Sequence, residues 1–141
     1  MIKFLVPVDG SEFADRAVKY LIKMAQCQQP AEIHLVNVRK SIDAWEVRRF
    51  LKEHEIAEAQ QSEGESDMQS ARALLDEAKM DYKAHVLVGP VAPTIAKLAE
   101  DLGCDTIVMG THGRGELANL VIGSVAAKLI HLVKIPITLV K

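Results

Sequence analysis

Gly110, Gly113 and Gly115, followed by Gly123-Ser124, are the residues whose types and spacing point most directly to chemistry. Glycine has no Cβ and tolerates positive φ, so an anionic ligand can come close to the backbone of such a loop. A helix that starts at Gly123-Ser124 offers N–H groups without intrahelical partners and the positive end of its dipole, both of which favour a phosphate. The Ser124 hydroxyl is one more donor. Asp9, at the end of the first apolar run, is the second signal: a carboxylate at a strand end accepts two hydrogen bonds, which a ribose or a base amine can donate. Each also has a plain structural use, the glycines as turn formers and Asp9 as the residue that turns the chain before Gly10.

The loop is not a P-loop, because no Gly-Lys-Ser/Thr follows a four-residue gap and no lysine is delivered to the phosphates. The dinucleotide fingerprint belongs after the first strand and is absent there. His112 and Arg114 lie inside the loop and can add charge, but no carboxylate is visibly placed to orient His112 as a base. Efficient phosphoryl transfer needs a positioned metal, cationic clamps and an oriented nucleophile. None can be named, so no catalytic residue is assigned.

The elements that must position these residues follow from periodicity. Ile2 to Val8 is an apolar run of the kind found in strands buried on both faces of a parallel sheet. Ser11 suits the N-cap of a helix from about Glu12 to Gln26, with Phe13, Ala17, Tyr20, Leu21 and Met24 at helical spacing. Ile33 to Val38 forms a second strand. His34 in it reads as a sheet-face histidine without another ligand candidate beside it.

From Glu53 to Asp67 acidic residues accumulate with no lysine or arginine until Arg72. The expectation is a solvated helix or insertion broken at Gly64, then a helix from Met68 to about Lys79. Tyr82 to Val88 is a third strand with Ala84, Val86 and Val88 on one face. A helix follows, with Pro93 in its first turn and Gly103 as its C-terminal cap. Thr106 to Met109 is the fourth strand. The next helix has Val125, Leu129, Leu132 and Val133 as its inward stripe. Ile135 to Val140 is the fifth strand, placed at an edge by Pro136, which cannot donate to a ladder.

Strands alternating with helices imply an α/β fold: a single open five-stranded parallel sheet with helices on both faces. Ligands in such sheets bind beyond the carboxyl ends of the strands, where the winding reverses. With the order 3-2-1-4-5, Asp9 and Gly110 meet at that point.

The 141 residues make one domain, 1–141, large enough to bury about two thirds of its unfolded surface. A net charge of −2 supplies no field to attract nucleic acid or an anionic membrane. No apolar run approaches the roughly 20 residues of a membrane span, and the N-terminus lacks the apolar core of a signal peptide. A cytoplasmic location is expected. Cys27 and Cys104 read as small core or boundary residues, and no Cys/His pattern has zinc spacing, so no metal ligands are assigned.

Gly110, two residues, Gly113, nine residues, then Gly123-Ser124 resembles the nucleotide-binding signature of the universal stress protein family. Val6-Pro7-Val8-Asp9-Gly10-Ser11 resembles its opening strand and nucleotide-contacting aspartate. Val88-Gly89 with Ile95 and Ala99 resembles the segment before its fourth strand, and Ile135-Pro136-Ile137-Thr138-Leu139-Val140 its closing strand. The likeness fades between about Lys40 and Met80.

The resemblance implies an adenine nucleotide alpha-hydrolase-like fold that binds ATP, with Mg2+ as a potential companion. It implies that Asp9 contacts the ribose or base and that Pro7, Val8 and Val38 wall the adenine, with Met109 and Val88-Gly89 completing the pocket. Gly110, Gly113, Gly123 and Ser124 would hold the phosphates, with Arg114 and Val125 beside them. The family often carries histidine where Asn37 stands here. The implied function is a cytoplasmic stress-response sensor or regulatory module with little or no turnover and an unknown protein partner, a homodimer through Ile135-Val140. A slow ATPase or nucleotidyl-transferring enzyme in the same cleft is the first rival, although the His-x-Gly-His and Ser-Gly-Gly-x-Asp-Ser loops of related adenylate-transferring enzymes are absent. A nucleotide-free dimeric interaction module is the second.

Overall fold

Runs of Val, Ile, Leu and Phe with few polar interruptions become central strands, because helices can cover them on both sides. The computed structural model describes residues 1–27, 30–41, 52–113 and 121–141. Its elements are β1 (Ile2–Pro7), α1 (Glu12–Cys27), β2 (Ala31–Arg39), α2 (Glu53–Glu77), β3 (Lys83–Val88), α3 (Val91–Leu102), β4 (Thr106–Gly110), α4 (Ser124–Leu132) and β5 (Ile137–Val140). The sheet has five parallel strands in the order β3-β2-β1-β4-β5. Both the expected order and the edge position of the last strand hold.

The sheet divides the apolar interior in two. On one side Phe4, Val6, Ile33, Leu35 and Val108 pack against Ala17, Val18 and Leu21 of α1 and Met68, Ala71 and Leu75 of α2. On the other, Leu5, Val36, Ile107 and Met109 pack against Ala92, Ile95 and Ala99 of α3 and Ala126 and Leu129 of α4. Alternate residues of one strand thus serve opposite layers, the period-2 rule of a pleated strand. Among the described residues no helix is long and apolar enough to cross a membrane.

Local signals fix several boundaries. Ser11 Oγ accepts the amide of Ala14 at 3.2 Å, the N-cap bond that starts α1. Gly103 ends α3 with φ 64°, a left-handed cap conformation open to glycine at little cost.

Four expectations need correction. The acidic segment is not broken at Gly64, because α2 runs through it as one helix of 25 residues. Glycine is there for proximity: a Cβ would lie 2.5 Å from Val86 Cγ1 and 3.2 Å from Asn37 Oδ1, so only a bare backbone lets α2 sit this close to the sheet. Nor are the acids merely solvated. Asp67 pairs with Arg39 Nη1 at 2.6 Å, Glu63 with Arg39 Nη2 at 2.7 Å, and Glu65 with Arg72 at 2.8 Å.

On α4, Val125, Leu129 and Val133 pack against the core as expected and Ala126 joins them, but Leu132 is 50% exposed. Ala126 is easily overlooked when only large side chains are counted. On β3, Ala84 and Val86 face the α1/α2 layer as expected, but Val88 at the strand's end is 50% exposed.

Candidate nucleotide site

Asp9 and Gly110 lie at the carboxyl ends of β1 and β4, strands that pair through Phe4↔Thr106 and Leu5↔Ile107. The chain reverses after β1 by a compact turn. Val8 N–H donates to Val36 O at 2.9 Å, Asp9 Oδ1 accepts the Ser11 amide at 2.9 Å, and Gly10 takes φ 81°. One carboxylate oxygen of Asp9 thus serves the turn.

The other wall comes from β4. Gly110 is buried against the first turn of α1, where a Cβ would come 2.7 Å from Phe13 Cβ and 2.9 Å from its carbonyl carbon. Its glycine is required by this packing as well as by any ligand. The ends of the following loop are drawn together by the Gly123 amide donating to Thr111 O at 2.6 Å. Gly123 is the N-cap of α4, with extended backbone and no side-chain cap bond, so no cap side chain occupies the first-turn amides of that helix.

These pieces enclose one cleft. It is lined by Pro7, Val8 and Asp9 from β1 and its turn, and by Val36, Asn37 and Val38 from β2. Met109, Gly110, Thr111, His112 and Gly113 come from β4 and its loop, and Gly123 and Val125 from the start of α4. The cleft holds about 550 Å³ of empty space, the open solvent at its mouth included.

Ser124 faces a neighbouring open groove, with Lys40, Gly89, Pro90, Lys128 and His131, that meets the cleft at Val91 and Val125. Arg114 lies outside the described residues.

The expected contribution of Val88-Gly89 is replaced. Gly89 belongs to the groove, and it is Val91 and Ile95, one helical turn apart on α3, that close the cleft floor. The sequence marks Ile95 only within the segment before the fourth strand and does not single out Ala126, because their place in the cleft depends on the angle at which α3 and α4 meet the sheet. Thr111 Oγ1 lies 2.9 Å from His112 Nδ1, and the His112 ring leans on Phe13 at 5.2 Å between centroids. Arg16 in turn lies over the Phe13 ring at 5.3 Å. His112 is therefore held at the rim by packing. Among the described residues no group of three His, Cys, Asp or Glu could hold a metal ion.

Comparison with known proteins agrees with this architecture. A model described as the universal stress protein family matches residues 1–141. Universal stress protein MJ0577 of Methanocaldococcus jannaschii is 29% identical over 154 residues, covering 99% of this chain and 94% of that protein. The solved structure of MJ0577 superposes with a TM-score of 0.85 at 30% identity, covering 99% and 95% of the two chains. A universal stress protein family protein of Arabidopsis thaliana, solved with AMP bound, has a TM-score of 0.69 at 16% identity, covering 100% of this chain and 92% of its own. A universal stress protein solved in complex with cAMP has a TM-score of 0.74 at 20% identity, over 99% and 97%.

Proposed function

The chain belongs to the universal stress protein family, and from that premise we propose that it is a single-domain, cytoplasmic ATP-binding module that senses or regulates rather than catalyses. The observation that carries the reading is the convergence of Pro7, Val8, Asp9, Val38, Met109, Gly110, Gly113, Gly123 and Val125 on one cleft at the strand ends. AMP and cAMP in two proteins of like fold support an adenine nucleotide as the occupant.

In this reading Val8, Val38 and Met109 are the apolar wall for the base, and the Asp9 carboxylate accepts from the ribose. The phosphates lie against the backbone of Gly110 and Gly113 and the N-terminus of α4, where Gly123 and Ser124 supply an amide and a hydroxyl. Arg114 and Mg2+ balance remaining phosphate charge. Nucleotide binding at this cleft alters the surface offered to a protein partner. The outer edge of β5 pairs with a second copy, which removes an otherwise open strand edge. Ile130 and Leu132, exposed on the helix just before that strand, add apolar area to the contact.

Calorimetric titration of the purified protein, stripped of any co-purified nucleotide, with ATP in the presence and absence of magnesium tests the assignment. Saturable binding at one site per chain is expected, with phosphate release no faster than background. Absence of binding to the nucleotide-free protein overturns it and moves the function to a partner-binding surface.

A further inference from the structure

At the end of the sheet opposite the nucleotide cleft, three side chains form a line that the function above does not use. His34, only 2% exposed, places Nε2 at 2.7 Å from Glu32 Oε1 and Nδ1 at 2.9 Å from His85 Nε2. The two rings are 5.2 Å apart at an interplanar angle of 21°. The sequence separates His34 and His85 by 51 positions, but the parallel register pairs His34 with Lys83 and Val36 with His85, so both histidines rise from the face that α3 covers. The rings aim nitrogen at nitrogen, which is the geometry of a hydrogen bond and not of shared ligation to an ion.

The proton inventory follows from the contacts. Ionised Glu32 can only accept, so His34 Nε2 carries a hydrogen. With one proton per ring, His34 Nδ1 is then an acceptor and His85 Nε2–H donates to it. A first added proton fits on the outer nitrogen of His85 and leaves this bond intact. A second puts N–H against N–H at the same separation and sets two imidazolium rings side by side. The surroundings oppose it. Lys83 Nζ is 3.6 Å and Lys3 Nζ 3.9 Å from the same Glu32 oxygen. Asp105 holds the Lys3 backbone amide at 2.7 Å, while Lys97 and Asp101 on α3 pair with each other at 3.1 Å. The Cys104 thiol, raised by burial, stays neutral in the same region. Glu32 is thus the carboxylate that faces the pair directly.

We propose that Glu32, His34 and His85 form a proton-operated clasp that holds the edge strand β3 to β2 at neutral pH and releases it on acidification. Among the described residues β3 lies at the margin of the sheet with β2 as its one strand partner, so loss of this link loosens its first half without disturbing β1 and β4. The chain thereby acquires a response to acid that is independent of nucleotide.

Amide hydrogen exchange on the full chain, read between about pH 7.5 and about pH 5 and corrected for intrinsic rates, tests the clasp. Protection across Lys83 to His85 should fall at least about tenfold while the β1 and α1 amides keep theirs. In His85→Gln the side-chain amide donates to neutral His34 and can turn its oxygen to accept from a protonated one, so the link survives acid and the acid-dependent loss should disappear. Protection of β3 that does not change with pH overturns the proposal, as does a uniform loss across the sheet or an unchanged acid response in the variant. Should the variant fail to fold, ring 15N shifts of the wild type decide: both rings in the Nε2–H form at neutral pH support the clasp, and an Nδ1–H form of His34 refutes it.

Discussion

The side-chain amide of Asn37 donates to the backbone carbonyl of Val8 at 2.8 Å, fastening β2 to the residue just before Asp9. Asn37 is 2% exposed, and the same nitrogen lies 3.5 Å from Asp67 Oδ2 on α2. Among the described residues its Oδ1 has no hydrogen-bond partner. The acidic helix, the second strand and the proposed base wall of the cleft are thus joined through one buried side chain.

Asn37→Ala leaves the Val8 carbonyl without this donor, a loss of about 1–3 kcal/mol, partly offset because the unpaired Oδ1 goes too. Asn37→Asp should do worse, since it sets a second carboxylate near Asp67 and a carbonyl. Urea unfolding midpoints at constant m-value should rank wild type above Asn37→Ala above Asn37→Asp, and ATP affinity should fall in the same order. Equal midpoints for the two variants would remove Asp67 from the account.

Gly64→Ala sets two effects against each other. Alanine gains about 1 kcal/mol in helix propensity over glycine in a helix interior. Against that, the new Cβ falls 2.5 Å from Val86 Cγ1, a clash that forces α2 or β3 to move. Overpacking of this kind costs about 1–3 kcal/mol. Net destabilisation is therefore expected, visible as a lowered thermal midpoint. A raised midpoint would mean that the Val86 side chain simply turns aside.

These positions show which parts of the molecule sequence could and could not disclose. β1 and β4 were readable because burial on both faces leaves an unbroken apolar run, and the switch-point rule then brought Asp9 to Gly110. Gly64 reads in sequence as a break, because a glycine placed for close helix–sheet contact looks the same there as one placed to end a helix. His34 and His85 become neighbours only through the register of β2 on β3, which no local pattern encodes. The cleft floor at Val91 and Ile95 likewise depends on how α3 is set against the sheet.

Ser124→Ala separates the proposed phosphate site from the fold. Ser124 is exposed at the first position of α4, whose cap is Gly123, and a substitution at such a surface position should change stability by no more than about 1 kcal/mol. A hydrogen bond to a charged phosphate contributes about 1.5–3 kcal/mol. Calorimetry should accordingly show ATP binding weakened by about ten- to a hundredfold. An unchanged affinity would exclude the hydroxyl from the site while leaving the backbone amides in play.

Global stability should carry a pH signature of the histidine pair, with a sign that can be worked out. His85 is held below the ordinary histidine value of 6.5 by burial first, then by His34 and Lys83. The unfolded chain therefore binds its proton more readily than the folded one, so the contribution is complete above about pH 6.5 and is lost as pH falls below it. Glu32 is held below the ordinary value of 4.5, chiefly by its hydrogen bond from His34 and also by Lys3 and Lys83. Its contribution is complete above about pH 4.5 and is lost at lower pH still. Equilibrium urea unfolding should show both declines in the wild type. His85→Gln should abolish the upper one and keep the lower, and Glu32→Gln should remove the lower one. If His85→Gln leaves the upper decline in place, the group responsible for it lies elsewhere in the chain.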